Sequence, residues 1–446
     1  MRKSDKLISN FVISILCIFL VLVAGKIVVK NVLYEKLHID NALIAFVLSD
    51  DSEYLGTSDP LTYVNYAKLY PFKENTQSKK DTLLDKFVSK FSKIQDTFST
   101  YASEKLLFRL DLIKAAYVYE DLIGMNGISM LDESAVVELR EGHLTALNTQ
   151  KDMQVAGENL VEFSRYIEST GAEFLYVQIP YKISESETSL SAMYQDYSNE
   201  DANELLTILE DNQVNTLDLR KAFDEKFGDF LPLFYKTDHH WKIETGLEAA
   251  SILANYLNQN YDFEMKLENL EISKYKTTTY DDSFLGSRGR KVTLARTELE
   301  DIAILTPEYE TSMCTYIPDR SIDVCGSFEE TLMDESKLGR EDYYDVSPYH
   351  TYAYGDRPII EIENELVNNG KKILIIRDSF SVPMVPFMAL STESIHSLDL
   401  RYFKGSVESY IVQYQPDMVI VAYNPSVFVD SKQIEYTTHT NMFDFK

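Results

Sequence analysis

The chain has little positive charge for its length. Its 446 residues include 43 Lys and Arg against 71 Asp and Glu, which gives a formal net charge of −28. A surface of this sign repels nucleic acid and anionic lipid headgroups, so the composition argues against both as binding partners. A neutral polysaccharide or a cationic partner is compatible with it. The acidity can also serve only to keep an exported domain soluble.

Cysteine is scarce as well, with three residues in the chain. Cys17 lies inside an apolar run, which leaves Cys314 and Cys325 for the rest of the protein. Neither belongs to a CxxC motif, and this argues against a structural zinc site. Two alternatives stay open: a disulfide that closes a short loop on the oxidising side of a membrane, or two free thiols.

One long segment, residues 7–25, contains no charged side chain and follows three basic residues. An apolar run of roughly 20 residues can cross a bilayer as a helix. Basic residues before such a run favour a cytoplasmic amino terminus. We therefore expect residues 1–30 to form a cytoplasmic tail and a single membrane anchor, with the main domain outside the cell. A cleaved signal peptide is the alternative, but Ala24-Gly25-Lys26 is a poor cleavage site.

The remaining chain divides into three segments by its pattern of apolar residues. Residues 31–150 read as a stalk and helical packing region, 151–430 as the main domain, and 431–446 as a polar tail. Strand-like and helix-like segments alternate in the main domain, which indicates an α/β fold with a parallel sheet and helices on both faces. Residues 261–366 interrupt this alternation and read as an insertion of strands and loops.

The predicted strands of the main domain are 172–179, 214–219, 372–376, 395–398 and 418–422, with β-like runs at 291–295 and 312–317 in the insertion. The predicted helices are 155–169, 203–210, 220–227, 243–257, one after Pro383, and 407–413.

Two short polar motifs provide the parts of an acyl-transfer site. In the first, at residues 238–241, Asp238 and His240 are two residues apart and project to the same side of an extended or turn backbone. In the second, Ser379 follows an apolar strand, and open α/β sheets gather ligands at the carboxyl ends of their strands. Asp238 orienting His240, and His240 taking a proton from Ser379, would activate that hydroxyl as a nucleophile.

Both motifs also have simpler explanations. Asp378 and Ser379 are common residue types where a strand ends and a helix begins. The Asp238-His239-His240 run contains metal-ligand types, but no further carboxylate or His cluster accompanies it, so we predict no metal and no cofactor. Trp241, the only tryptophan, is expected to pack beneath the motif.

Two further residues follow predicted strands at the same edge of the sheet. Lys182 comes after the strand at 172–179 and is either a substrate contact or a solvated loop lysine. Asn424 follows the last strand and either donates to an oxyanion or forms a turn before Pro425.

These motifs, taken together, resemble the DHHW protein family of Gram-positive bacteria. The residues that carry the resemblance are Thr237–Trp241, the loop Ser283–Ser287, Arg377–Phe380 with Pro386-Phe387, and Asp399–Tyr402. It covers about residues 124–428. That family is similar to the alginate O-acetyltransferase proteins, whose SGNH-hydrolase-like domains use an Asp-x-His pair and a later Ser.

The resemblance implies an SGNH-hydrolase-like domain and a role for particular residues. It assigns the nucleophile, the base and the acid that orients the base to Ser379, His240 and Asp238. Arg401 matches an arginine that binds substrate or steadies the site, and Gly286 lies in a loop near the oxyanion. Arg377 stands where SGNH hydrolases have a glycine, at a point where the backbone approaches closely.

The implied activity is transfer of an O-acyl group, first of all acetyl, to a cell-surface or secreted polysaccharide. A membrane-bound acyltransferase partner is implied too, because activated acetyl groups are not available outside the cell. The same three residues would serve a carbohydrate esterase, which is one alternative. A non-catalytic glycan-binding or assembly protein is the other, and Arg377 favours it.

Overall fold

The computed structural model describes residues 136–187, 189–190, 194–294, 296–434 and 442–446. The predicted membrane anchor, residues 1–30, and most of the predicted stalk region lie outside these residues. Among the described residues, no helix is both long enough and apolar enough to cross a membrane.

Strands and helices alternate along most of the described chain. The strands are β1 (Val136–Glu138), β2 (Leu144–Ala146), β3 (Glu173–Gln178), β4 (Thr216–Asp218), β5 (Tyr275–Phe284), β6 (Glu300–Pro307), β7 (Met313–Ile317), β8 (Ile322–Gly326), β9 (Ile359–Asn364), β10 (Lys372–Arg377), β11 (Ser394–Leu398) and β12 (Met418–Tyr423). The α-helices are α1 (Gln154–Thr170), α2 (Ser198–Asp211), α3 (Leu219–Phe227), α4 (Ile243–Tyr261), α5 (Ser287–Val292), α6 (Phe328–Leu332), α7 (Ser381–Ala389), α8 (Val407–Tyr414) and α9 (Ser431–Ile434).

Within the described residues, eight strands form one sheet in the order β4-β3-β12-β10-β11-β9-β7-β8. The first five run parallel, and the last three pair antiparallel. Parallel pairing is thus confirmed for the five strands predicted in the main domain, whereas β7, β8 and β9 extend the sheet in antiparallel fashion and make it mixed. These three strands come from the predicted insertion. Parallel neighbours need long crossovers, whereas β7 and β8 are joined by a short turn that suits antiparallel pairing.

Helices cover both faces of the sheet, as predicted. Along β10, Ile373 and Ile375 pack with apolar side chains of α3, α4 and α7. Leu374 and Ile376 point the other way and pack with α1, α2 and α8. A strand that is buried on both faces is apolar at every position, which explains why the run at 373–376 carries no alternation.

Two predictions of local structure differ from the fold. The prediction of a β-like run at 291–295 is wrong, because residues up to Val292 form the end of α5. The Thr237 carbonyl accepts from the backbone N–H groups of Arg288 and Gly289, so a tertiary contact overrides local strand propensity. Helix α7 begins two residues before Pro383, since a proline in the first helical turn loses no intrahelical hydrogen bond.

Cys314 and Cys325 form a disulfide between β7 and β8, where they face each other directly across the two strands. Of the two alternatives that the sequence left open, the structure contains the bonded pair.

We expect the double variant Cys314→Ala/Cys325→Ala to lose about 2–3 kcal/mol of unfolding free energy, because a crosslink closing a loop of this size restricts the unfolded chain. Urea unfolding of the variant and the oxidised protein measures the difference. Alkylation of both thiols in protein that was never reduced would contradict the disulfide.

Candidate active site

The Asp238-His239-His240 motif lies on a tight loop whose base is closed. Phe234 and Trp241 form an antiparallel bridge across its ends, and the Tyr235 N–H donates to the His240 carbonyl over 3.1 Å. Trp241 is fully buried beneath the loop and packs edge to face against the Phe380 ring. The backbone pairing at the ends of the loop and the buried Trp241 therefore hold the motif in a fixed position.

The structure brings the three predicted catalytic residues into one hydrogen-bonded chain. His240 Nε2 lies 2.7 Å from Ser379 Oγ, and His240 Nδ1 lies 2.5 Å from Asp238 Oδ1. When Nδ1–H donates to the carboxylate, Nε2 is left free to accept the hydroxyl proton. The geometry is that of a serine hydroxyl activated by an oriented imidazole. The catalytic role of these residues stays a prediction.

Both carboxylate oxygens of Asp238 have donors. Oδ1 accepts from the His240 ring and also from the His240 backbone N–H over 2.9 Å. Oδ2 accepts from the Ser287 backbone N–H over 2.5 Å. Burial by itself raises the pKa of Asp238, but His239, His240 and these donors outweigh burial and hold that pKa well below its usual value. The carboxylate is therefore ionised at neutral pH and can stabilise a protonated His240.

Ser379 stands in a turn held by its neighbour Asp378. One Asp378 oxygen accepts from the Phe380 N–H over 2.9 Å, and the other accepts from the Asn424 N–H over 2.6 Å. Burial raises the pKa of Asp378 to about 6 against these hydrogen bonds. Asp378 thus performs the turn function that the sequence suggested, and it ties the end of β10 to the end of β12. The Ser379 side chain instead points to His240.

Arg377 and Arg401 share two carboxylates beside this turn. Arg377 lies 2.9 Å from Asp356 and 3.3 Å from Asp399; Arg401 lies 2.6 Å from Asp399 and 3.2 Å from Asp356. The Arg377 side chain is 1% exposed, and its role is to lock the end of β10 to neighbouring segments. Arg401 keeps 28% exposure, and its predicted contact with substrate stays a prediction.

Gly286 lies directly against Asp238, and the predicted position of its loop near the oxyanion stays a prediction. A Cβ at this position would lie 2.3 Å from Asp238 Cβ and 2.5 Å from the Asp238 backbone. The Gly286 N–H also donates to Thr237 Oγ1 over 2.8 Å. Only glycine allows the start of α5 to approach the motif loop closely enough for Ser287 to reach Asp238.

Lys182 is neither a substrate contact nor a solvated loop lysine. Its ammonium group is fully buried beneath the motif loop and donates to four carbonyl oxygens, those of Leu144, Tyr235, Lys236 and Asp238. Burial lowers the pKa of Lys182, while Glu300 and Asp238 oppose that shift. Both predictions are wrong, because the chain after β3 passes under the motif loop and is covered by it. Asp238, whose carbonyl accepts from Lys182, lies 56 residues later in the sequence.

The side chain of Asn424 forms a turn, and its role as an oxyanion donor stays a prediction. Its amide nitrogen donates to the Pro180 carbonyl over 2.7 Å, and its oxygen accepts from the Ser426 N–H over 2.9 Å. The structure therefore supports the second of the two explanations that the sequence allowed.

Two residues of the predicted insertion support the site, and sequence reasoning missed both. Glu300 accepts from the backbone N–H groups of Lys236 and Thr237, each over 2.7 Å, and fixes the entry to the motif loop. The Tyr349 ring stacks on His240, with centroids 4.3 Å apart and an interplanar angle of 13°. No sequence signal marks Tyr349, because the chain contains 30 tyrosines.

Asp238, His239 and His240 also offer possible metal-ligand atoms within 4.8 Å of one another. Asp238 Oδ1 and His240 Nδ1 are already bonded to each other, and His239 Nδ1 lies 2.8 Å from Ser287 Oγ. A cation here would have to replace these contacts, so the donor set fits the hydrogen-bonded chain better than a metal.

Family comparison identifies part of this architecture. Residues 139–304 match the model of the SGNH hydrolase-like domain of acetyltransferase AlgX. The matched stretch contains Asp238 and His240 and ends before Ser379. No curated protein matches the chain.

Solved structures extend the likeness over most of the described chain. PatB1 of Bacillus cereus, solved with a sulfonyl adduct, has a TM-score of 0.55 and 22% identity over 72% of this chain and 99% of that chain. A DHHW family protein from Eubacterium siraeum has a TM-score of 0.50 and 21% identity over 66% of this chain and 91% of that chain. At these identities the structures establish the fold. With the family match, they confirm the resemblance predicted from the motifs.

We expect Lys182→Met to lower the unfolding free energy by about 3 kcal/mol or more, because it leaves four buried carbonyl oxygens without their donor. Urea unfolding measures the loss. The matched control is Lys226→Met, which removes a 52% exposed side chain from a surface ion pair with Glu248. That change should stay within about 1 kcal/mol. Equal losses in the two variants would contradict the role assigned to Lys182.

We expect Gly286→Ala to slow covalent labelling of Ser379 by a sulfonyl fluoride and to cost about 1–3 kcal/mol, because the added methyl group displaces Asp238. Labelling is followed by mass spectrometry and stability by urea unfolding. Gly370→Ala is the control: its Cβ meets nothing within 4 Å, although φ is positive. It should cost about 1–2 kcal/mol and leave labelling unchanged. Normal labelling of Gly286→Ala would show that this contact is dispensable.

Proposed function

We propose that this protein transfers an acyl group, in the first instance acetyl, to hydroxyl groups of a polysaccharide outside the cytoplasm. Ser379 is the nucleophile, His240 the general base and Asp238 the acid that orients it. The observation that carries this proposal is the hydrogen-bonded chain from Asp238 through His240 to Ser379 at the carboxyl edge of the sheet.

The first half-reaction forms an acyl-enzyme. His240 Nε2 takes the hydroxyl proton as Ser379 Oγ attacks the carbonyl carbon of the acyl donor. The bond between the acyl carbon and the leaving group then breaks, and His240 returns the proton to that group. Ionised Asp238 stabilises the imidazolium between these two transfers.

The second half-reaction transfers the acyl group to the acceptor. A sugar hydroxyl gives its proton to His240 Nε2, and its oxygen attacks the acyl carbon. Ser379 Oγ leaves with the proton from His240, so the protein is restored. Water in place of the sugar gives the esterase reaction, and only acceptor positioning and exclusion of water separate the two outcomes.

The comparisons support transfer of an acetyl group, because the matching family model describes an acetyltransferase. The net charge of −28 favours a neutral acceptor over a polyanion. The Arg377 guanidinium is buried and paired with Asp356 and Asp399, and this structural role is compatible with a catalytic protein.

The predicted location forms part of the proposal. Residues 1–30 anchor the protein in the cell membrane with the main domain outside, and a disulfide between Cys314 and Cys325 suits an oxidising compartment. Because that compartment lacks activated acetyl groups, a membrane-bound acyltransferase would have to pass the acyl group to Ser379.

The test uses the chain without residues 1–30. We expect it to release nitrophenol from 4-nitrophenyl acetate and to form a covalent adduct at Ser379 with a sulfonyl fluoride. Ser379→Ala should abolish both. Asp238→Asn should lower the acylation rate by about 10⁴-fold, because the imidazole loses its orienting charge. Mass spectrometry locates the adduct, and absorbance follows nitrophenol.

Ser381→Ala is the matched control, since this serine lies in the same turn and its buried hydroxyl has no hydrogen-bond partner within the described residues. It should keep both activities. Absence of a Ser379 adduct in folded protein would end the catalytic proposal. Nitrophenol release without acetylation of any added oligosaccharide would favour the esterase.

A further inference from the structure

His239 lies beside the hydrogen-bonded chain without belonging to it. Its ring centroid is 3.8 Å from that of His240 and 5.8 Å from that of Phe380. The His239 side chain is 19% exposed, whereas that of His240 is 7% exposed. Of the two imidazoles, His239 is therefore the more accessible to a molecule entering the site.

One nitrogen of His239 is already held. Nδ1 lies 2.8 Å from Ser287 Oγ and 3.3 Å from Asp238 Oδ1. An ionised carboxylate next to Nδ1 favours the tautomer that carries hydrogen there, with Ser287 Oγ as the acceptor. Nε2 then keeps its lone pair. It makes no hydrogen bond to any residue that the structure describes.

The charge of His239 determines what this lone pair can bind. Burial and neighbouring His240 hold the pKa of His239 well below its usual range, against the attraction of Asp238. The ring is therefore neutral at physiological pH, and Nε2 can only accept a hydrogen bond. A developing oxyanion is repelled by such a lone pair, whereas a hydroxyl group donates to it.

We propose that His239 is an acceptor-binding residue: its Nε2 accepts a hydrogen bond from one hydroxyl of the sugar while a neighbouring hydroxyl gives its proton to His240. This inference rests on the proposed function and adds a substrate class, acceptors with two adjacent hydroxyl groups. The closeness of the two rings lets hydroxyls on adjacent carbons reach both. A diol held by His239 occupies the position from which water would attack the acyl carbon, so the contact favours transfer over hydrolysis.

Two small acceptors test the substrate class without knowledge of the natural glycan. Ethylene glycol carries two adjacent hydroxyls, and 2-methoxyethanol carries one hydroxyl and an ether oxygen that cannot donate. With 4-nitrophenyl acetate as donor, we expect the wild-type protein to acetylate ethylene glycol about tenfold faster, after correction for its two hydroxyls. Gas chromatography measures both esters, and free acetate measures hydrolysis in the same reaction.

Two variants of His239 separate hydrogen bonding from packing. His239→Phe keeps an aromatic ring against His240 and Phe380 but removes both nitrogens, whereas His239→Gln keeps a carbonyl acceptor. His239→Phe should lose the preference for the diol and lower the ratio of transfer to hydrolysis about tenfold. His239→Gln should recover part of both. The rate of Ser379 labelling by a sulfonyl fluoride shows whether each variant remains folded and nucleophilic.

The outcomes distinguish this inference from the function on which it rests. A wild-type protein without preference for the diol, or a His239→Phe variant that loses transfer and hydrolysis by the same factor, would limit His239 to packing and leave the proposed function intact. Failure of the wild-type protein to form an acyl-enzyme at Ser379 would overturn both.

Discussion

The buried, ionised carboxylate of Asp238 is the constraint on which the rest of the site depends. A charge in the interior needs donors on every side, and here they come from His240 and from the backbone of Ser287. The close approach that brings Ser287 there requires a glycine at position 286. The ammonium of Lys182 holds the carbonyl groups of the same loop from below. The surrounding structure thus serves to keep one charge in place and one imidazole oriented.

The sheet brings the nucleophile to that imidazole. Ser379 follows the central strand β10, and the contact between Asp378 and the Asn424 backbone fixes the turn to the neighbouring strand. His240 reaches the same point from a loop 139 residues earlier in the chain. Tyr349, from the segment before β9, then stacks on the imidazole from another side. The segment that leads into the antiparallel part of the sheet therefore contributes to the site.

Sequence reasoning succeeded where the signal is local or repetitive. Continuous apolar runs identified the central strands, and the two-residue spacing of Asp238 and His240 predicted that their side chains meet. It failed for Lys182 and did not foresee the contact of Gly286 with Asp238, because both features depend on which distant segment passes over these residues. From the sequence, a lysine after a strand is expected to be exposed to solvent. In the folded protein the motif loop covers Lys182. The need for glycine at 286 appears only when the Asp238 backbone lies against it.

The sequence by itself determined the alternation of strands and helices, the polar motifs at their ends and the acidic surface, because each follows from residue type and short-range spacing. The tertiary structure decided the order of the strands, the antiparallel pairing of β7, β8 and β9, and the meeting of Ser379 with His240. It also decided that Nδ1 of His239 is hydrogen-bonded to Ser287, while Nε2 has no hydrogen-bond partner among the described residues. Strand order and loop packing depend on contacts between distant segments, and no local pattern encodes them.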